Sequence, residues 1–364
     1  RYPLDEELAF CPGGLSAGLE ESAALAGVVE PFASAADLLA RLLWTGVKLS
    51  HNRVREATEN MGQALAQTED EWVQRAFDSD ESGLPEAPEQ GPTRLYISVD
   101  GTDVRCKATD EEEVEEGQNY VWHEAKVAAL YETEEVTTSR KPGETEIKAK
   151  DIEYYADMAD AQHFARLVWL KAYERGGSHA AEVILLGDGA AWIWLRLGLL
   201  FPQAIEILDW QHAEDYVIQV AQAVFGPETQ AGTVWLKQEI DLLWNGQVQP
   251  VIHDLETLQS AQPQIEAIQK AITYYTNNQH RMNYPAYRQR GLQIGSGTIE
   301  SACKRVVKAR LDQSGMTWTV EGARAVLKAR AAYLSGQWDD FWQSQTFRPR
   351  GYRRASVQPT RLAA

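Results

Sequence analysis

Leu95, Ile97 and Val99 alternate with Tyr96, Ser98 and Asp100, the period-two pattern of a strand with one buried face. The pattern stops at Asp100-Gly101, a turn signal that leaves a carboxylate at the carboxyl end of the strand. Val104 to Ala108 is expected to pair back as a second strand, with the acids from Asp110 to Glu116 as a solvated hairpin loop. Tyr120 to Tyr131, rich in Val, Ala and aromatics, reads as a third strand, and the polar stretch Glu132 to Lys150 reads as loop. From Asp157 to Tyr173, Phe164, Leu167, Val168 and Tyr173 fall at helical spacing, and the segment ends at Gly176-Gly177. Val183 to Leu186 is a continuous apolar run before Gly187, the mark of a strand buried on both faces. It delivers a second acid at Asp188-Gly189. Trp192 to Leu200 predicts a helix, Ala204 to Asp209 a short fifth strand, and Trp210 to about Met282 further helices. Gly295 to Glu300 then opens a helix that runs through Lys304 and Lys308.

Upstream, Ser16 to Leu65 reads as helical. A compact amphipathic run, Ala35 to Leu43, is broken at Gly46 to Ser50. Ser50 is positioned to cap a second helix through Val54, Ala57 and Met61. Two short helices about a glycine-containing turn fit a helix-turn-helix, and equally an ordinary helical hairpin, with Arg53 and Arg55 as the basic residues of the second helix. Asp78 to Pro92 is acidic and rich in Pro and Gly, as a linker is. A new domain is therefore expected from about Thr93.

Composition narrows the class. At 364 residues the chain can bury a large core and hold two or three domains. Its 44% hydrophobic and 9% aromatic content is that of a globular protein. No apolar run has the length of a membrane span and no signal-peptide pattern opens the chain, so a cytoplasmic location is expected. Cys11, Cys106 and Cys303 are scattered and odd in number, which implies a reducing compartment without a disulfide framework. The chain starts at Arg1 rather than Met, which leaves room for sequence upstream.

The formal charge of −18 argues at first against a nucleic-acid partner. Its distribution reverses that reading. From Arg281 to Ala364 there are 15 Lys and Arg against 5 Asp and Glu, a net of +10 that leaves −28 for the rest. Tyr and Trp lie among these arginines, a composition suited to phosphate. After Phe347 the basic stretch reads as a solvated tail.

Three acids stand at places where chemistry is usually kept: Asp100 after the first strand, Asp188 after the buried one, and Glu300 on a later helix. Clustered carboxylates repel one another and raise each other's pKa unless a cation intervenes. Hard oxygen ligands favour Mg²⁺ or Mn²⁺, and a two-metal site clamps the attacking and leaving oxygens of a phosphodiester. Gly295 and Gly297 allow close backbone approach, and Glu300, Lys304 and Lys308 recur every four residues on one helix face. Asp209 and His212 are too few to form a structural zinc site, and a hydrogen-bonded junction is the simpler reading.

Three segments carry a resemblance: Tyr96-Ile97-Ser98-Val99-Asp100-Gly101-Thr102, Leu186 to Trp194 around Asp188, and Ile294 to Lys304 around Glu300. Asp209-Trp210-Gln211-His212 and Leu311 to Trp318 add two more. With these five ordered motifs the chain resembles the DDE transposases of bacterial insertion sequences, and among them the ISKra family, over roughly residues 1 to 345. The resemblance implies an α/β fold, an RNase H-like mixed sheet with a helical insertion, preceded by an all-α helix-turn-helix region. The expected divisions are 1–77 helix-turn-helix-like, 78–92 linker, 93–212 first part of the core, 213–290 helical insertion, 291–345 core helices and 346–364 basic tail.

The same resemblance implies that Asp100, Asp188 and Glu300 converge as catalytic residues and ligands of two Mg²⁺ or Mn²⁺ ions. Asp209 and His212 would support them, and Lys304, Arg305, Lys308 and Arg310 would meet DNA. The activity implied is metal-dependent strand cleavage and strand transfer on element ends and target DNA by a homo-oligomer. Such transposases carry a cysteine-rich segment before the helix-turn-helix, where this chain has only Cys11. The alternatives are an RNase H-like nuclease without strand transfer and a catalytically silent DNA-binding regulator.

Overall fold

The computed structural model describes residues 15–42, 48–78, 84–115, 117–137 and 145–344. Three helices come first: α1 (Ala17–Val29), α2 (Phe32–Leu42) and α3 (His51–Asp78). Ser50 caps α3 as expected, accepting the Arg53 N–H at 3.2 Å. The turn expected between the helices of a helix-turn-helix, residues 43–47, lies outside the described residues, as do Cys11 and the basic tail. Arg53 and Arg55 are engaged within α3, with Glu56 at 2.7 Å and Glu59 at 3.9 Å.

A five-stranded sheet follows: β1 (Arg94–Lys107), β2 (Tyr120–Thr137), β3 (Thr145–Asp157), β4 (Glu182–Gly187) and β5 (Ile205–Leu208). The spatial order is β3-β2-β1-β4-β5. β1, β2 and β3 pair antiparallel, whereas β1-β4 and β4-β5 are parallel. This mixed sheet has RNase H-like topology.

Two expectations about the strands are corrected. Asp100-Gly101 does not end the first strand, because β1 runs unbroken to Lys107 and absorbs the segment expected as a second strand. A Cβ at Gly101 would lie 2.3 Å from a carboxylate oxygen of Glu124 on β2, the end of a flexible side chain. The second correction is β3, which occupies sequence read as loop and helix start. Its outer half pairs charged residues across the ribbon, Glu132 with Lys150 and Glu134 with Lys148. Such cross-strand pairs hold an exposed ribbon without the apolar alternation that marks a half-buried strand.

α4 (Ala161–Glu174) is capped by Asp160, whose carboxylate accepts the Gln162 and His163 N–H groups. After β4 comes α5, a π-helical turn Ile193–Leu197 continued by Gly198–Leu200. Between β5 and residue 290 every regular element among the described residues is helical: α6 (Trp210–Phe225), α7 (Gln230–Trp244), α8 (Val248–Ala261), α9 (Glu266–Asn278), a 3₁₀ turn at Gln279–Arg281 and α10 (Tyr284–Gln289). α11 starts as Gly297–Ala302, widens into a π-helical stretch Cys303–Lys308 and closes with Ala309–Leu311. α12 (Val320–Leu334) and α13 (Trp338–Ser344) follow.

The main core sits on the sheet, where Leu95, Ile97, Leu130, Leu167 and Ile184 are fully buried. A second core joins the chain's two ends, packing Val54, Ala57 and Met61 of α3 with Ala329, Trp338 and Trp342 of α12 and α13. Gly62 makes the crossing of α3 and α12 possible, since a Cβ there would lie 1.8 Å from the Ala325 carbonyl oxygen. Among the described residues no helix is long and apolar enough to cross a membrane.

Candidate active site

The site is created by where β4 and β5 stop. The last β1-β4 pair is Val99 with Gly187, and the last β4-β5 pair is Gly187 with Leu208. The next residues on these three neighbouring strands are Asp100, Asp188 and Asp209. Beyond Asp100, β1 continues with β2 as its remaining ladder partner. Asp100 therefore stands at the sheet opening because its neighbour β4 ends, whereas Asp188 and Asp209 follow the ends of their own strands.

The three acids have different surroundings. Asp209 is fully buried and its oxygens are spent: it accepts the His212 N–H at 2.9 Å, meets His212 Nδ1 at 2.6 Å and accepts the Ser296 N–H at 2.6 Å. It thus caps α6 and ties that helix to the loop before α11, as a junction residue should. Asp100 and Asp188 are half-buried and accept one backbone N–H each, from Gly101 at 2.8 Å and Ala190 at 2.9 Å. Burial raises the Asp100 pKa above the usual carboxylate value, and the adjacent Asp188 charge raises it further. The hydrogen bond to Asp209 lifts His212 to about 9 against the effect of burial, and the Asp209, Asp188 and Asp100 charges add to the rise. His212 is therefore an imidazolium at neutral pH, a weak counter-charge beside a pair of acids.

α11 reaches this opening through Cys303. Cys303 Sγ lies 3.7 Å from Asp100 Oδ2, and Glu300 lies one turn earlier on the same helix. The Ser296 hydroxyl donates to Glu300 Oε1 at 2.9 Å, and Lys304 Nζ lies 3.9 Å from Oε2. Asp100, Asp188 and Glu300 do not have ligand atoms all within 4.8 Å of one another as they stand. Cys303, given no role in the sequence, is buried against this site, and burial followed by the Asp100 charge pushes its thiol pKa well up. It is a neutral thiol there.

The four basic residues assigned to DNA divide. Lys304 and Lys308 are exposed. Arg305 is partly buried and turned toward β3, with its guanidinium over the Tyr154 ring at 5.8 Å. Arg310 is withdrawn from any DNA face: it is fully buried, donates to the Gly27 carbonyl at 2.8 Å and lies over the Phe32 and Trp318 rings. Arg310 stands seven residues after Cys303 and four and three after Val306 and Val307, all buried, so it belongs to the buried face of α11 while Lys304 and Lys308 share the exposed one.

A second acidic cluster was invisible in the sequence. Asp70 of α3, Asp157 at the end of β3 and His163 of α4 have ligand atoms all within 4.8 Å, the one such trio among the described residues, so they can hold a metal ion. They are already supplied with cations. Arg324 of α12 meets Asp157 at 2.7 Å and Asp70 at 2.6 Å, while Lys328 lies 2.6 Å from Asp157 and 2.5 Å from Glu69. Burial would raise the Asp157 pKa, but Lys328 and Arg324 outweigh it and hold the carboxyl well below the usual range. An ion entering here would have to displace two cations.

Fold and site together define an RNase H-like α/β protein with helical insertions and a clustered acidic group able to take a metal, a frame suited to nuclease-type chemistry in general. More particularly, the chain belongs to the uncharacterised protein family UPF0236, whose model matches residues 1–340. No curated protein matches it.

Proposed function

We propose that the protein is a DNA transposase of the DDE type, which cleaves element ends and transfers the strand with Asp100, Asp188 and Glu300 as its catalytic carboxylates. The observation that carries this reading is that Asp100 and Asp188 follow the last rung between β1 and β4, with a raised Asp100 pKa. Among the described residues the His212 imidazolium is the cation that acts on Asp100, and two like charges so placed are short of positive charge, which is what a divalent cation supplies. The donor set is all oxygen and fits Mg²⁺ or Mn²⁺. When bound, such ions provide Lewis-acid stabilisation of the attacked phosphodiester.

The chain's own residues do the rest. Asp209 fixes the loop before α11 through the Ser296 N–H, and Ser296 in turn orients Glu300. Lys304 beside Glu300, and Lys308 beyond it, face solvent where a DNA backbone would run. DNA as partner, two ions, assembly of a homo-oligomer on DNA and residence at the nucleoid are parts of the same proposal.

The test is cleavage of a labelled duplex carrying the element's end, with Mg²⁺ and with chelator. Metal-dependent nicking followed by joining to a target duplex is the expected result. Hydrolysis without joining would instead make the protein a nuclease. Cleavage that persists in Glu300→Gln would overturn the carboxylate assignment.

A further inference from the structure

α7 and α8 meet around an acid that the candidate site does not use. Glu239 of α7 is fully buried, and neither of its carboxyl oxygens accepts a hydrogen bond from an N–H or hydroxyl among the described residues. Ionised in that place, it would be a buried charge with neither donor nor cation, which costs far more than neutralising it with a proton. The group it does meet is a second acid. Asp254, half-buried on α8, stands within hydrogen-bonding reach of Glu239. Two carboxylates both accept, so the link between them has to be a proton.

The surrounding helices supply no substitute for that proton. α7 packs on α6 and α8, and α9 packs on the same two helices, which closes the insertion into a ring. From α9 the facing group is Tyr275, fully buried, whose hydroxyl already donates to the Ala213 carbonyl at 2.6 Å. From α6, Glu214 acts on Tyr275 and adds a negative charge rather than a cation. From α10, Arg288 is engaged at the far end of α7, donating to the Trp244 carbonyl at 2.8 Å. Lys237 and Asp241 on α7 are exposed, as are His253 and Glu256 beside Asp254 on α8. Burial is the main cause that lifts the Glu239 pKa, to about 8, and the Asp254 charge and hydrogen bond add to it.

We propose that Glu239 and Asp254 share a proton that latches α7 to α8, and that these two helices part as rising pH transfers it to solvent. Without it two carboxylates repel each other, one of them in the core, and opening hydrates both. α6 and α9 remain seated. The Tyr275 hydroxyl joins them to each other, and the Tyr274 hydroxyl of α9 donates to the Asp188 carbonyl at 2.9 Å. Once exposed, Glu239 regains the ordinary carboxylate pKa. The latch is therefore at full strength below that value, weakens as pH rises above it, and is lost as pH passes about 8. This device needs neither DNA nor metal and is independent of the transposase reading.

The experiment uses the full chain without divalent metal. Infrared spectra of the wild type minus those of Glu239→Gln isolate this carboxyl, because acids such as Asp100 are common to both and cancel. A protonated-carboxyl band is expected at neutral pH, fading with a midpoint of about 8. The same subtraction on an Asp254→Asn background should move that midpoint to lower pH, since the second negative charge is gone. Hydrogen exchange in α7 and α8, with the intrinsic rate divided out, should quicken up to about tenfold per pH unit below the midpoint and level off above it, because opening releases one proton. In Glu239→Gln, whose amide donates to Asp254 without titrating, that acceleration should vanish. Melting curves establish which variants are folded, and Glu239→Leu serves as the reference if the glutamine variant is not. Absence of the band at neutral pH, a midpoint unmoved by Asp254→Asn, or wild-type exchange as flat as that of the folded reference overturns the proposal.

Discussion

Two groups of acids lie at one end of the same sheet and have opposite electrostatic fates. Asp157 is fully buried, yet Lys328 and Arg324 drive its pKa below the ordinary range. Asp100 is less buried, and its pKa rises under burial and the Asp188 charge. Burial alone would predict the reverse order. What separates them is the supply of cations: the Asp157 group has an arginine and a lysine within 2.7 Å, whereas Asp100 has a histidine acting from farther away. The first group is closed and joins α3, β3 and α12. The second is open to a cation from solution. Tight clustering by itself therefore does not identify the catalytic acids, because the tighter trio is the better neutralised one.

The largest effect that could break this contrast is catalytic. Asp100→Asn, Asp188→Asn and Glu300→Gln each keep shape and remove a negative ligand. Each is expected to lower Mg²⁺-dependent end cleavage on the order of 10³-fold, since metal stabilisation is worth several kcal/mol. DNA binding, measured by gel shift, should survive. Asp157→Asn should leave cleavage per folded molecule unchanged. If it abolished cleavage and Asp100→Asn did not, the two sites would have to exchange roles.

Next in size is stability. Lys328→Ala leaves Asp157 and Glu69 buried without their lysine, and removing one partner of a buried pair costs roughly 3–5 kcal/mol. Chemical denaturation should show this loss, while Asp100→Asn should stabilise the metal-free protein by relieving repulsion. A neutral outcome for Lys328→Ala would mean the network is solvated and that its acids are free to take a metal.

Metal binding sharpens the comparison further. An ion bound only by the folded protein stabilises it by about 2.7 kcal/mol at one hundred times its dissociation constant. Mn²⁺ should raise the melting temperature of the wild type and of Asp157→Asn, and have little effect on Asp100→Asn. The opposite pattern would place the ion at Asp70, Asp157 and His163.

Much of this was legible in sequence for reasons that can be named. Val99-Asp100 and Gly187-Asp188 end apolar runs, and parallel pairing of those runs leaves their acids just beyond the last rung, Val99 with Gly187. Glu300 follows a glycine-rich helix start, and Asp209 with His212 was read as a junction; Asp209 accepts from His212 and Ser296. β3 was illegible because charge pairs across a ribbon carry no periodicity in one strand. Arg310 was assigned to DNA by its charge, although it follows the buried Val306 and Val307 by four and three residues, the spacing of one helix face. Asp70 and Asp157 meet only after α3 and α12 dock, so no local pattern could join them.

Titration separates the two groups in the milder range. Because the Asp157 pKa is depressed, its contribution to stability is present above the ordinary carboxylate value and is lost only as pH falls well below it. The Asp100 pKa is raised, so metal-free stability is greatest below the ordinary value and declines as pH rises through the shifted one. His212, raised to about 9, has the same sign at higher pH: its charge supports the fold below about 6.5 and that support fades through 9. Melting temperatures from pH 4 to 10 should show the first decline flattened in Asp100→Asn and the second in His212→Gln. A wild-type profile that both variants reproduce would mean these shifts do not exist.

The smallest expected effect lies on the exposed rim. Lys304 is 72% exposed in its side chain and only 3.9 Å from Glu300, so its charge can serve either the acid or an incoming phosphate. An exposed pair of this kind contributes little to stability. If the lysine meets phosphate, Lys304→Ala should weaken DNA binding a few-fold and reduce the salt dependence of log K by about 0.9, the value of one lost contact. Lys308→Ala should act alike, and Arg310→Met should leave the salt slope unchanged because that guanidinium is enclosed by Phe32 and Trp318. Gel shifts at three salt concentrations measure all of these slopes. A slope that falls in Arg310→Met as much as in Lys304→Ala would mean that α11 unpacks on DNA and exposes the arginine, and the division between the lysines and Arg310 would then hold only for the free protein.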